Sequence, residues 1–276
     1  MPLSPATRRG TTVVELLIAL GLVLVLTLIV GSVLRRTQDT YRAAAQRMDR
    51  RQSLRIAATF LPAELRELDA PDGDIVAMSP TAVTVRAPRQ FAVLCRAQPA
   101  GPPGLATLVV AARPRYGLRE FAADTDSLWV LSELLTWVPG DVVSLGSGSC
   151  ADGSAGRQLT VALTATDRLP LGTPVLGFET VTYRLYRSSS DGRWYVGQQT
   201  TTDLQPVLGP VPSDGLSFTY LDSSGAVTTV PAQVSLIEVR VRAATIEPIR
   251  DVSGRLGRPV DSVVTVIALR NNRHGE

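Results

Sequence analysis

After ten residues the chain enters a stretch where polar positions almost vanish. From Thr11 to Leu34 the only ionisable residue is Glu15. As a helix this stretch would be about 36 Å long, enough to cross a hydrocarbon layer of about 30 Å. A core helix apolar on every face would be out of proportion in a chain of 276 residues. The run is too long for the apolar part of a secretory signal, and VLRRTQDTYR follows it rather than a small-residue cleavage site. Residues 11–34 therefore read as a transmembrane helix.

The helical period continues beyond Leu34 with different chemistry. Leu34, Tyr41, Met48 and Arg55–Ile56 fall at heptad-like spacing, with Ala44 and Ala45 between them. Arg35, Arg36, Arg42, Arg47, Arg50 and Arg51 occupy other faces. This predicts an amphipathic helical stem over residues 35–69, with a core-packing stripe and a solvated charged face. Contact of those arginines with anionic headgroups or acidic neighbours is compatible with the same pattern. Pro62 does not sit unperturbed inside a helix, so FLPAELREL is expected to kink or restart at Pro62, and APDGD to end it.

From Asp74 the period shifts to two. Val181, Tyr183 and Leu185 alternate with Thr182, Arg184 and Tyr186; Ile237, Val239 and Val241 alternate with Glu238, Arg240 and Arg242. That is the signature of a half-buried antiparallel sheet. IVAM, TAVTVRA, FAVLC, ATLVVAA, QLTVALTA, RWYVGQQ, LSFTYLD and DSVVTVIALR read as further strands. SSSDGRW and LDSSGAV carry the composition of hairpin turns, and AQPAGPPG and GSGSCADGSAG read as loops. From about Pro99 to Gly156 the pattern is only generically β-rich. The predicted class is α+β: a long N-terminal membrane-spanning and amphipathic helix, then an antiparallel β-rich globular domain over residues 70–276.

Composition narrows the chemistry. All 28 basic residues are arginines. The absence of lysine excludes Schiff-base chemistry, Ser-Lys dyads and a phosphate loop ending in GK[ST]. The one histidine, His274, cannot make a two-histidine zinc site, and a Ser-His-Asp triad would have to use the chain's tail. A net charge of +3 does not make a nucleic-acid surface. GSGSCADG lacks the strand-then-helix setting of a dinucleotide loop. No catalytic residue and no cofactor is assigned. Cys95 and Cys150 would be unpaired core residues in a reducing compartment and one disulfide in an exported domain.

Glu15 is what a plain membrane anchor leaves unexplained. A lone carboxylate well inside a membrane helix costs on the order of 2–4 kcal/mol, less near the interface. If the chain is cut after Gly10, Thr11 carries a free amine and Glu15 becomes the fifth residue. The two groups then lie on one helix face. On neighbouring chains with an axial offset they could neutralise each other.

Arg8, Arg9 and Gly10 followed by TTVVELLIALGLVLVLTLIV resemble the start of type IV prepilins and type II secretion pseudopilins. The resemblance implies a leader over residues 1–10, cut between Gly10 and Thr11 by an inner-membrane prepilin peptidase, with N-methylation of Thr11. Members usually begin the mature chain with phenylalanine or another bulky apolar residue, and Thr11 departs from that. YRLYRSSSDGRWYVGQQ, LGPVPSDGLSFTYLDSSG, VSLIEVRVRA and VVTVIALRNN, in that order, resemble the C-terminal half of J-type minor pseudopilins and W-type minor pilins. A bare count of Arg8 and Arg9 against Arg35, Arg36 and Arg42 would leave the C-terminal side in the cytoplasm. The resemblance implies the reverse: a single pass through the inner membrane with the domain exported, where Cys95–Cys150 would be a disulfide.

Some pseudopilins bind calcium, and Asp69, Asp72 and Asp74 cluster at a turn. Their spacing is not that of an EF-hand, so no metal ligands are assigned. The resemblance implies a pilin-like filament subunit at or near the tip of a pilus or pseudopilus, with other minor and major subunits as partners. The competing expectation is an exported binding domain on a bitopic anchor that never polymerises; an anchored enzyme relying on carboxylates alone ranks third.

Overall fold

The computed structural model describes residues 13–114, 116–117, 119–164, 167–250 and 255–270. They form one α-helix, α1 (Val13–Leu65), followed by an antiparallel β-rich domain. The strands are β1 (Ile75–Ser79), β2 (Ala82–Val93), β3 (Gly104–Ala111), β4 (Tyr116–Gly117), β5 (Asp126–Leu131), β6 (Trp137–Ser149), β7 (Ala155–Leu163) and β8 (Pro174–Arg187). They continue as β9 (Trp194–Gln199), β10 (Leu204–Val211), β11 (Leu216–Leu221), β12 (Leu236–Ala244), β13 (Ile249–Arg250), β14 (Leu256–Gly257) and β15 (Val260–Ala268). Contacts divide the described residues into two units: those up to Arg50 with Thr245–Pro259, and Arg51–Ala244 with those from Val260 onward.

In the first unit, α1 up to Leu34 exposes its large apolar side chains all round. Its hydroxyls turn back onto the helix: Thr27 Oγ1 donates to the Val23 carbonyl at 2.7 Å and Ser32 Oγ to that of Ile29 at 2.8 Å. Folded back in this way, they ask nothing of an apolar surrounding. Further along, an arm made of β13, β14 and their flanks docks on the helix. Glu247 N donates to Gln46 Oε1 at 3.1 Å, and Arg50 reaches the Pro259 carbonyl at 3.1 Å. At 100° per residue, those positions face away from Leu34, Tyr41 and Met48. The expected packing stripe is therefore corrected: Tyr41 and Met48 are 73% and 72% exposed.

The second unit has two cores. In the first, α1 contributes Ala57, Leu61 and Leu65, spaced four residues apart, and the partly buried Leu54 and Phe60 flank them. These pack on Val83 and Val85 of β2, Val181 and Tyr183 of β8, and Phe218, Ile237, Val239 and Val241 of the three-stranded sheet β11-β12-β15. The period-two expectation for β8 and β12 holds there residue by residue, except that Leu185 is only half-buried. Of the two expectations for Pro62, a fresh start is not seen, because one helix runs through it and ends at Leu65. At that point only the last turn remains, and Arg66 N bonds the Pro62 carbonyl at 3.0 Å.

The second core fills a barrel. The large sheet runs β2-β8-β5-β6-β7-β3, every neighbour antiparallel. It closes where Leu94, just after β2, bridges Val110 of β3 and Cys95 N bonds the Val109 carbonyl at 2.9 Å. Leu108, Leu128, Val130, Val142, Leu159 and Val161 fill the interior, as expected of so small a barrel. The region that read only as generically β-rich is most of this barrel. GSGSCADGSAG is not one loop: Gly146–Ser149 lie in β6, Ala155–Gly156 in β7, and only residues 150–154 turn. Its glycines allow close approach, since a Cβ on Gly156 would meet Val109 Cγ1 at 2.7 Å.

Candidate functional site

Gly10 and Thr11, the expected cleavage and methylation residues and half of the expected charge pair, lie outside the described residues. Glu15 stands in the first turn of α1 on an exposed face. A carboxylate there is favoured by the helix dipole, by about 0.3–1 kcal/mol at a surface. That is less than the cost of placing it within lipid, so the dipole alone does not account for the residue. The span that follows has a mean hydropathy of 3.0 over its best window and none of that window is buried. It is long and apolar enough to cross a membrane.

The two cysteines form a disulfide, with 5.0 Å between their Cα atoms. It joins the end of β2 to the β6–β7 turn, where Ala151 N also bonds the Cys95 carbonyl at 2.9 Å. Cys150, in the stretch that read as a loop, lies instead at the start of a tight turn between β6 and β7. Closing a span of 55 residues stabilises by about 4 kcal/mol on the chain-entropy model.

The Asp69–Asp74 turn is held internally. Asp74 Oδ1 accepts from two nitrogens of Arg86, at 2.9 and 2.7 Å, and Asp74 Oδ2 accepts from Asp69 N at 2.8 Å. Arg86 in turn lies over the Trp129 ring at 4.0 Å. The arginine thus already supplies the positive charge that this carboxylate faces.

Sequence reasoning missed a buried charge network between the two cores. The pairing of β2 with β8 shifts register between Pro88 and Gln90, and Arg89 sits at that bulge, 6% exposed. Its guanidinium meets Glu64 of α1 at 2.8 Å and Glu179 of β8 at 2.9 Å. Tyr183 donates its hydroxyl to Glu64. Arg119 approaches Glu179 at 3.4 Å and bonds Asp126 at 2.7 Å. Burial alone would lower the Arg89 pKa, but hydrogen bonds and charge from Glu64, with help from Tyr183 and Glu179, raise it overall. Burial, then Glu64, raises the Tyr183 pKa well above the phenol value. Each carboxylate is held by a guanidinium, so the cluster ties α1 to β2 and β8. Its members lie 25, 90 and 119 residues apart, a separation that no local motif can reveal.

A cleft of about 460 Å³ opens on the barrel. Gln90, Phe91, Val110, Phe121, Leu145 and Arg157 are among its walls. Arg157 pairs with Glu120 there, and Gln90 Oε1 is buried without a hydrogen-bond partner among the described residues. No protein-family model matches the chain, and no curated protein or solved structure is significantly similar to it.

Proposed function

We propose that this chain is a minor pilin or pseudopilin: a non-enzymatic filament subunit, made as a membrane-anchored precursor, at or near a filament tip where it helps start assembly. The observation that carries the reading is the exposed apolar stretch of α1 from Val13 to Leu34, in which Glu15 in the first turn is the one ionisable residue. A bilayer accommodates the apolar side chains, and it brings no counter-charge of its own to a carboxylate at that level. A bundle of like helices satisfies both, if the amine of a neighbour's Thr11 meets Glu15. Misregistered packing would leave the charge buried and unpaired, a cost of several kcal/mol. Prepilin peptidase would prepare the chain in the inner membrane, the β-rich domain would be exported, and other minor and major subunits would be its partners. The expected result for Glu15→Val is normal membrane insertion with loss of incorporation into assemblies. Normal incorporation of that variant would refute the pairing.

The barrel cleft favours a second reading, an anchored exported binding domain that does not polymerise. N-terminal sequencing separates the two. A mature chain beginning at Thr11 supports the filament subunit, and one beginning at Met1 supports the anchor.

A further inference from the structure

The charge of the chain is unevenly placed. Residues 35–50 of α1 and residues 245–259, the arm that docks on it, carry eight arginines against four acids, a net charge of +4. Residues 51–244 and 260–276 carry eighteen arginines against twenty acids, a net charge of −2. The basic excess begins where the stretch apolar enough to cross a membrane ends. Arg35 and Arg36 follow Leu34 directly and are exposed, and the exposed Arg42 stands about 12 Å past Leu34 along the helix. At 100° per residue, all three fall within about 80° of Gln46, the residue on which the arm docks. Asp39 is the one acid between them in the chain.

The arm brings its own cations to the same side. Arg50 donates to the Pro259 carbonyl at 3.1 Å. One turn nearer the apolar stretch, Gln46 takes Glu247 N at 3.1 Å and Arg47 donates to the Arg250 carbonyl at 3.2 Å. The arm therefore leans back along the helix toward that stretch. Ile249, opposite Gly257, is 6% exposed and faces inward. Arg250 and Leu256 form the next pair, so they lie on the other face of the ribbon. Leu256 is 60% exposed, and Arg250, Arg255 and Arg258 are exposed near it in the chain. A bare leucine among arginines suits a segment that rests on a membrane surface. The apolar side chain enters among the headgroups, and each guanidinium can bond two phosphate oxygens. A negative surface also relieves the mutual repulsion of so many like charges.

We infer that this collar is a contact for anionic phospholipid. Arg35, Arg36 and Arg42 of α1, with Arg250, Arg255 and Arg258 of the arm, bind headgroups of the leaflet through which α1 leaves the membrane, and Leu256 enters between them. Gln46 stands about 18 Å past Leu34, whereas the headgroup layer is about 5–8 Å deep. The arm leans into that gap, its long side chains extend further, and a tilt of α1 toward the arm, of the usual order of 20°, closes it. The contact is one-sided, so it sets the direction in which α1 tilts. The apolar stretch favours lipid over an acidic protein as the occupant, because it holds the collar beside a bilayer whether or not a partner is present. The contact requires the span to lie in a membrane, but it needs neither Glu15 nor a neighbouring subunit.

The test follows amide hydrogen exchange of residues 245–259 in the full chain, in nanodiscs of phosphatidylcholine alone or with about one third phosphatidylglycerol. Both leaflets of a disc are alike, so the result does not depend on which side of a membrane the domain occupies. Anionic lipid is expected to slow exchange of the arm by at least about tenfold, and about 0.5 M salt to abolish the slowing. Each arginine at the surface is worth about fivefold. Arg255→Gln with Arg258→Gln should therefore bring the slowing below about twofold, while exchanging like the wild type in phosphatidylcholine. Arg255→Lys with Arg258→Lys keeps the charge and should keep most of the slowing. Equal exchange in the two discs, or a slowing that the glutamine pair leaves intact, would overturn the contact. Slowing by soluble polyglutamate but not by phosphatidylglycerol would overturn it in favour of an acidic protein. Glu15→Val should respond to anionic lipid like the wild type, so loss of filament assembly and loss of this contact read out separately.

Discussion

Replacing Arg89 with methionine removes the one cation that two partly buried carboxylates share. The side chain is 6% exposed, and Glu64 and Glu179 lie 2.8 and 2.9 Å from it. Methionine keeps most of the volume, so the loss is electrostatic rather than a cavity. Among the described residues, Glu64 then keeps the Tyr183 hydroxyl and Glu179 the longer contact with Arg119. Breaking a buried pair from one side costs about 3–5 kcal/mol. For a domain of this size that corresponds to a fall in melting temperature of about 6–20 °C. The assay is a thermal melt of the full chain in detergent, followed by near-ultraviolet circular dichroism of the barrel and core aromatics. The control is the triple variant Arg89→Met, Glu64→Gln, Glu179→Gln, which leaves no charge stranded and is expected to recover most of the loss. A fall of less than about 2 °C in the single variant, or a triple variant no better than the single, would refute the clamp.

Further predictions concern the rest of the molecule. Tyr183 and Tyr220 both have pKa values raised by burial, Glu64 adding to the effect on Tyr183. A raised folded value means that their contribution is complete below about pH 10 and is lost above it, so stability falls by about 1.4 kcal/mol per pH unit for each. Denaturant titrations at pH 9 to 12 should show this slope, and Tyr183→Phe should roughly halve it. Cys95→Ala with Cys150→Ala should lower stability by about 4 kcal/mol in urea unfolding, mainly by loosening the unfolded chain. Leu61→Ala, at a fully packed helix position, should cost about 2–5 kcal/mol, whereas Tyr41→Ala on the exposed face should change the melt by less than about 0.5 kcal/mol. Equal effects of the two would mean that the packed face has been misassigned. Gly177→Ala should cost about 1–3 kcal/mol by the same melt, since a Cβ there would meet the Phe121 ring at 2.4 Å.

The parts of this fold legible in the sequence are those where one periodicity acts alone. The apolar run of α1 has no competing signal, and β8 and β12 alternate because one face is packed and the other wet. The stem misled because Leu34, Tyr41 and Met48 have the spacing of a packed stripe while the buried residues of α1 begin at Ala57, on another face. Apolar spacing alone does not say which stripe finds a partner within the same chain. β5, β6 and β10 were not among the expected strands. Pro139, Gly140, Gly146 and Gly148 make β6 look like a loop, although at Gly148 the missing side chain is what lets Val109 approach. Pro206 and Pro210 disguise β10 in the same way, and an edge strand tolerates them. The clamp around Arg89 and the cleft were invisible because their members meet only once the barrel has closed.

The pairing of β2 with β8 carries a modular consequence. Val93 lies opposite Pro174 and Ala92 opposite Val175, so the two strands are the arms of a single hairpin. The barrel's remaining walls and its disulfide are, in topological terms, the content of that hairpin's loop. A genetic change confined to residues 94–173 can enlarge, exchange or erase the barrel while both arms stay paired. The helix-packed core would then serve as a fixed handle, and the barrel as an interchangeable head with its own staple. A graft that replaced those residues with a two-residue turn would be the most direct way to obtain the handle alone.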